Sequence, residues 1–100
     1  YVLTSPVLGP EMQLDTKLSI PPQVMSRLVG DETVLLDLSS GIYFGLDGVG
    51  QSIWESVAKG RSLAQAAAKI VEDYDVEESR AQADVLAFAN DLVERGLLTQ

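Results

Sequence analysis

Carboxylates are nearly all this sequence has to do chemistry with. It holds 15 aspartates and glutamates against 7 lysines and arginines, and none of its 100 residues is cysteine or histidine. Thiolate nucleophiles, disulfides, imidazole bases and zinc sites of the usual ligand set are excluded at once. Paired carboxylates can do acid–base work in principle, yet here they stand mostly at helix starts and turns, with no serine–base arrangement beside them. The stretch LDGVGQS, from Leu46 to Ser52, puts two glycines before a helical pattern. It lacks the lysine of a phosphate-binding loop, so it reads as a loop and helix cap. No catalytic residue, metal site or cofactor is expected.

The charge balance narrows the partners. Net charge is −8, and each half of the chain contributes −4. An anionic surface repels phosphate backbones and releases no counterions, which argues against nucleic acid. A partner of basic or apolar character fits better. No apolar run approaches the ~20 residues of a membrane span. Tyr1 to Pro10 lacks the basic start and long apolar stretch of a signal peptide, so the expected location is the cytoplasm.

The elements that must position any site follow from periodicity. Residues 1–11 carry two prolines, one glycine and one charge. They read as a loose N-terminal arm, genuine or extraneous, with Met12 an alternative start and the domain proper spanning 12–100. LDTKLSI spaces Leu14, Leu18 and Ile20 evenly and reads as extended up to Pro21 and Pro22. VMSRLV and ETVLLDL flank Gly30-Asp31, which suits a type II′ hairpin turn, and Val34, Leu36 and Leu38 share one face. After Ser39-Ser40-Gly41, IYFGL makes a third strand, with Ile42, Phe44 and Leu46 opposite in side to Tyr43 and Gly45.

From Asp47 the period becomes helical. Val49, Ile53 and Val57 form a stripe beside Trp54, and Gly60 stops it. Ser62 with Gln65 reads as a capping box ahead of Leu63, Ala66, Ala67, Ile70, Val71 and Tyr74. Asp75 with Glu78 repeats the capping pattern before Ala81, Val85, Phe88, Ala89 and Leu92, and Gly96 ends that helix. The expected class is α+β: a winged-helix-like βββααα chain whose three-stranded antiparallel sheet packs on a three-helix bundle.

A three-stranded meander has two edges, and one belongs to the third strand. Natural edges are blunted with lysine, proline or a bulge, but GIYFGLDG contains no lysine, arginine or proline. Such an edge accepts an added strand, with backbone hydrogen bonds for affinity and side-chain pockets for specificity. Gly41 and Gly45 leave room for close approach. Ile42 and Phe44 read first as core residues, whereas Tyr43 suits core and ligand contact equally. The acidic run EDYDVEE reads as a solvated helix junction.

Taken in order, VLLDLSSGIYFGLDGVGQSIWESV, GRSLAQAAAKIVEDYDV and DVLAFANDLVERGLL resemble the PqqD-like family, also described as recognition elements for ribosomally synthesised, post-translationally modified peptides (RiPPs). The resemblance covers about Val24 to Leu98. It implies a non-catalytic module that binds the leader of a precursor peptide by strand addition to the third strand, against the third helix. Mapped here, it implies a wall of Ile42, Tyr43, Phe44, Gly45 and Leu46 facing Arg80, Ala81, Asp84 and Phe88. The chain is most similar to stand-alone recognition proteins of lasso-peptide clusters, which implies a leader peptidase and a cyclase as partners. The alternative within the family is the peptide carrier of pyrroloquinoline quinone synthesis, which works with a radical-SAM enzyme. The arm carries Tyr1, Pro6 and Leu8 in the order of some lasso-type leaders, but with wider spacing from Tyr to Pro.

Two rival classes are weaker. A winged-helix DNA binder would lay the last helix in the major groove, yet Glu77 to Arg95 sets Glu77, Glu78, Asp84, Asp91 and Glu94 against only Arg80 and Arg95. The sign is wrong for phosphate. Self-association by strand exchange is the other use of an open edge.

Overall fold

The computed structural model describes residues 12–100. The arm assigned to residues 1–11 lies outside them. Three strands are followed by three helices: β1 (Val24–Val29), β2 (Glu32–Asp37), β3 (Ile42–Leu46), α1 (Gly48–Ala58), α2 (Leu63–Tyr74) and α3 (Glu78–Glu94). The sheet is antiparallel in the order β1-β2-β3. This is the expected α+β, βββααα arrangement.

The β1–β2 connection is the two-residue turn read from the sequence. Val29 pairs with Glu32, and of the two residues between them only Gly30 has positive φ, at +63°. A left-handed first position followed by an ordinary second one is the type II′ pattern, whose twist matches that of the strands it joins. In β2 the inward residues are Thr33 and Leu35, at 6% and 0% exposure. Val34 and Leu36 face the other side of the sheet, and Leu38 lies exposed in the following turn. The face that they share is thus the outer one.

Thr33 ties sheet to helices by accepting a 2.9 Å hydrogen bond from Gln51 Nε2 of α1. Beneath the sheet, Leu35 joins Ile53, Trp54 and Val57 of α1, the Leu63, Ala66, Ala67 and Ile70 stripe of α2, and Ala81, Val85, Ala89 and Leu92 of α3. Leu97 and Leu98, after Gly96, are buried with them. Small alanines on α2 and α3 let these helices lie close, as their shared core positions require.

Two local readings change. LDTKLSI does not form a strand: Ser19 makes a single bridge with Thr99, and the preceding backbone does something else. The carbonyls of Thr16 and Leu14 accept from the N–H groups of Leu63 and Ala64, at 3.0 and 2.7 Å. With the Ser62–Gln65 capping box, in which Ser62 Oγ accepts from Gln65 N–H, these contacts satisfy the first donors of α2. A helix start otherwise leaves such donors unpaired. Asp75 does not cap α3. It is the left-handed C-cap of α2, φ 53° and ψ 49°, and Glu77 precedes α3 without a side-chain cap.

Leu35 is the residue on which sheet and helices converge. Leu35→Ala is expected to cost about 2–5 kcal/mol, read as a lower urea midpoint. The single, buried Trp54 supplies the fluorescence signal for this measurement.

Candidate functional site

The site begins with which backbone groups of β3 are free. Leu38 N–H donates to the Gln23 carbonyl, and opposed residues of an antiparallel pair alternate between bonded and non-bonded. Even-numbered residues of β2 therefore bond to β1 and odd-numbered ones to β3. Thr33, Leu35 and Asp37 pair with Leu46, Phe44 and Ile42. Tyr43 and Gly45 are left with N–H and C=O groups directed away from the sheet, at an edge that no described strand covers. No lysine, arginine or proline blunts it.

Side chains alternate with this pattern. Ile42, Phe44 and Leu46 project toward the helical side: Ile42 is exposed, and Phe44 and Leu46 are half-buried. Tyr43, 69% exposed, stands on the outer face, where Met25, Arg27, Val29, Val34 and Leu36 line a shallow apolar concavity.

Opposite the edge runs α3. It packs along α2, as β3 packs along β2, and side chains bridge the space between α3 and β3. A Cβ added at Gly50 would lie 3.2 Å from Phe88 Cε1 and 3.8 Å from Leu46 Cδ2. Phe88 and Leu46 thus both stand over Gly50 at the start of α1, in room that glycine leaves. At the far end of α3 the Arg95 guanidinium lies 5.8 Å from the centroid of the Phe44 ring. That is within range of a cation–π contact. The ring pairs with one end of α3 and Leu46 with its middle, so β3 and α3 run in opposite directions along a common groove.

The exposed stripe of α3 is regular. Arg80, Asp84, Phe88, Asp91 and Arg95 follow one another at steps of four, four, three and four, which keeps them on one face. Arg80 bonds Asp84 at 3.3 Å and Arg95 bonds Asp91 at 3.0 Å. Both pairs are exposed, so each contributes little to stability. Their effect on the groove is to cancel charge on either side of Phe88.

The structure therefore sorts the residues expected from the sequence. Leu46 and Phe88 stand over Gly50, Phe44 lies under Arg95, Ile42 continues the strand wall, and Tyr43 and Gly45 have the outward backbone groups. Arg80 and Asp84 lie about 12 and 6 Å farther along α3 than Phe88, beyond the C-terminal end of β3, beside Val76 and Glu77. Ala81 is fully buried in the core, so its methyl belongs to the packing of α3 and not to the groove surface. Arg95, Asp91 and Gly50 lie beside these residues and were not among the expected ones. The spacing of Asp91 and Arg95 from Phe88 was a visible signal, but the contact of Arg95 with Phe44 joins residues far apart in the chain.

Among the described residues no group of histidine, cysteine, aspartate or glutamate is arranged to hold a metal ion. No described helix is long and apolar enough to cross a membrane. A family model described as Coenzyme PQQ synthesis protein D (PqqD) matches residues 32–98, from the start of β2 through the end of α3. This chain belongs to the PqqD family. PqqD-family proteins of this kind are RiPP recognition elements, which bind peptides and do not catalyse.

Two solved structures agree in fold. "TbiB1 in Complex with the TbiA(beta) Leader Peptide" is 35% identical, with TM-score 0.76 over 80% of this chain and 93% of that one. "Lasso peptide synthetase B1 complexed with the leader peptide" is 27% identical, with TM-score 0.79 over 85% of this chain and all of that one. No curated protein matches the sequence.

The close approach at Gly50 yields a test of the groove's inner wall. In Gly50→Ala the added methyl displaces the Phe88 ring, and NMR is expected to show shifts at Phe88 and Leu46 with the Leu35 methyls unmoved. The gain in helix propensity of about 1 kcal/mol offsets the crowding, so stability changes little. An unmoved Phe88 ring would mean that it does not stand over Gly50.

Proposed function

We propose that this protein captures the leader region of a ribosomally made precursor peptide in lasso-peptide maturation. In this reading it presents the precursor to a leader peptidase and a cyclase in the cytoplasm. The observation that carries the reading is the open edge of β3 facing the α3 stripe, with free backbone groups at Tyr43 and Gly45.

The leader adds to β3 as a fourth strand. Its backbone bonds to Tyr43 and Gly45, and alternate side chains enter the groove over Phe44, Leu46 and Phe88. Because the strand rises ~3.3 Å per residue, a leader segment of about ten residues spans the strand wall and continues past Leu46 toward Asp84 and Arg80. Ordering such a segment costs entropy, so a few apolar anchors carry the affinity. Dissociation constants from about micromolar to nanomolar follow.

Both solved relatives are complexes with a leader peptide, and one is a lasso peptide synthetase B1. These support the lasso reading. The description of the matching family model supports a second one, the peptide carrier of pyrroloquinoline quinone synthesis. The two readings differ in which leader binds.

Fluorescence-polarisation titration with the leader half of the precursor encoded beside this gene, against a scrambled leader, tests the proposal. Saturable binding of the true leader alone is expected. Tyr43→Ala, which keeps the outward backbone groups and removes only a cross-strand neighbour on the outer face, is expected to weaken it by up to about fivefold, and Asp84→Ala, at the groove's far end, by a few-fold. Both variants should retain the wild-type urea midpoint. Unchanged affinity in both would remove the peptide from the β3 edge and its extension toward α3, and selective binding of the leader of a quinone-cofactor precursor would favour the second reading.

A further inference from the structure

The outer side of the β3 edge carries a carboxylate that the binding groove does not use. Glu32 pairs with Val29 at the hairpin tip, and Gly45 pairs with Val34, so Glu32 stands diagonally across from Gly45 on the outer face. Its side chain leans toward the edge. A Cβ built at Gly45 would lie 3.0 Å from Glu32 Cδ and Oε2 and 3.1 Å from Oε1. Three carboxylate atoms at nearly one distance mean that the group lies flat over Gly45.

Glu32 is exposed and has no cationic partner among the described residues, whose ion pairs are made by Lys69, Arg80 and Arg95. Arg27 shares the outer face but lies on the β1 side of β2, away from the direction in which Glu32 leans. An unpaired carboxylate therefore sits on the one edge residue that has no side chain of its own.

We infer that Glu32 sets a charge preference in the docked peptide, selecting lysine or arginine at the position opposite Gly45. The inference rests on the reading of β3 as the docking edge and specifies the chemistry of the peptide that it takes.

In a parallel or an antiparallel addition, directly opposed residues share a face, so the residue opposite Gly45 projects beside the Glu32 carboxylate. Its Cβ lies about 4.5–5.5 Å from the Cβ position of Gly45, and the carboxylate lies about 3 Å from that same position. The stem of a lysine or arginine spans this gap. It passes over Gly45 because no methyl blocks the way, and lays its apolar carbons along the strand. An aspartate or glutamate at that position would meet like charge at short range, on a protein already at −8. The same carboxylate thus attracts one class of leader and repels another.

Selection of a displayed random-peptide library on the folded full chain tests the inference, with Glu32→Gln and Glu32→Lys run in parallel. Peptides enriched on the wild type are expected to carry lysine or arginine at one fixed position. Glu32→Gln is expected to lose that preference and bind the selected peptides about three- to fivefold more weakly, the scale of an exposed ion pair. Glu32→Lys is expected to turn the preference to aspartate or glutamate.

A Tyr43→Pro variant separates this inference from the reading beneath it, because proline at an edge removes the outward N–H while the strand tolerates it. If Tyr43→Pro abolishes binding but the peptides selected by Glu32→Lys keep the cation, the edge docks peptides and Glu32 does not select them. If no peptide is enriched, or binding survives Tyr43→Pro, the docking edge itself is wrong and the inference falls with it.

Discussion

Both sides of β2 are occupied, and the rest of the molecule follows from that. Its even-numbered residues bond to β1 and its odd-numbered ones to β3, and its inward side chains, Thr33 and Leu35, fasten the sheet to the helices. A central strand with both hydrogen-bonding edges filled leaves each outer strand with one edge that no described residue pairs with. On β3 that edge is short, lacks blunting residues and lies across from an exposed helix stripe. The placement of a strand in the middle of a sheet thus creates a place where a further strand can be added.

The two walls are held by different neighbours. α3 is anchored to α2 through alanines at its buried face, Ala81 and Ala89, and β3 is anchored to β2. Phe88 and Leu46 both stand over Gly50, and Arg95 lies over Phe44. These neighbours set the spacing of the two walls. They also make the floor apolar and the rim nearly neutral, since Arg80–Asp84 and Asp91–Arg95 cancel their own charges. Neutral pairing beside an aromatic floor suits an extended peptide better than a phosphate backbone, and the chain belongs to a family of non-catalytic, peptide-binding proteins.

Much of this was legible one element at a time. Gly30-Asp31 named its own turn because only a left-handed first position closes a two-residue hairpin of this type, and Ser62 with Gln65 named its helix start because both halves of a capping box are local. The alternation of IYFGL placed Tyr43 and Gly45 opposite to Phe44 before any packing was known. What misled was local pattern competing with distant partners. LDTKLSI has the spacing of a strand, yet the carbonyls of Leu14 and Thr16 are taken by the first donors of α2, 50 and 47 residues away in the chain. Asp75 has the composition of an N-cap, but a left-handed residue was needed sooner, to end α2. Ala81 falls in the apolar stripe of α3 by its spacing and on the groove wall only by resemblance, and its burial follows the spacing.

By itself, the sequence determined the local conformations and the chemistry that is absent: where strands give way to helices, which turn joins β1 to β2, and that neither thiol nor imidazole is present. Those properties depend on residues within a turn or two of one another, or on composition alone. Tertiary structure decided which edge stays open, which helix faces it, and how Arg95 comes to Phe44, Phe88 to Gly50 and Glu32 to Gly45. Each of these is a meeting of residues whose positions depend on the packing of whole elements, and no local periodicity carries that distance.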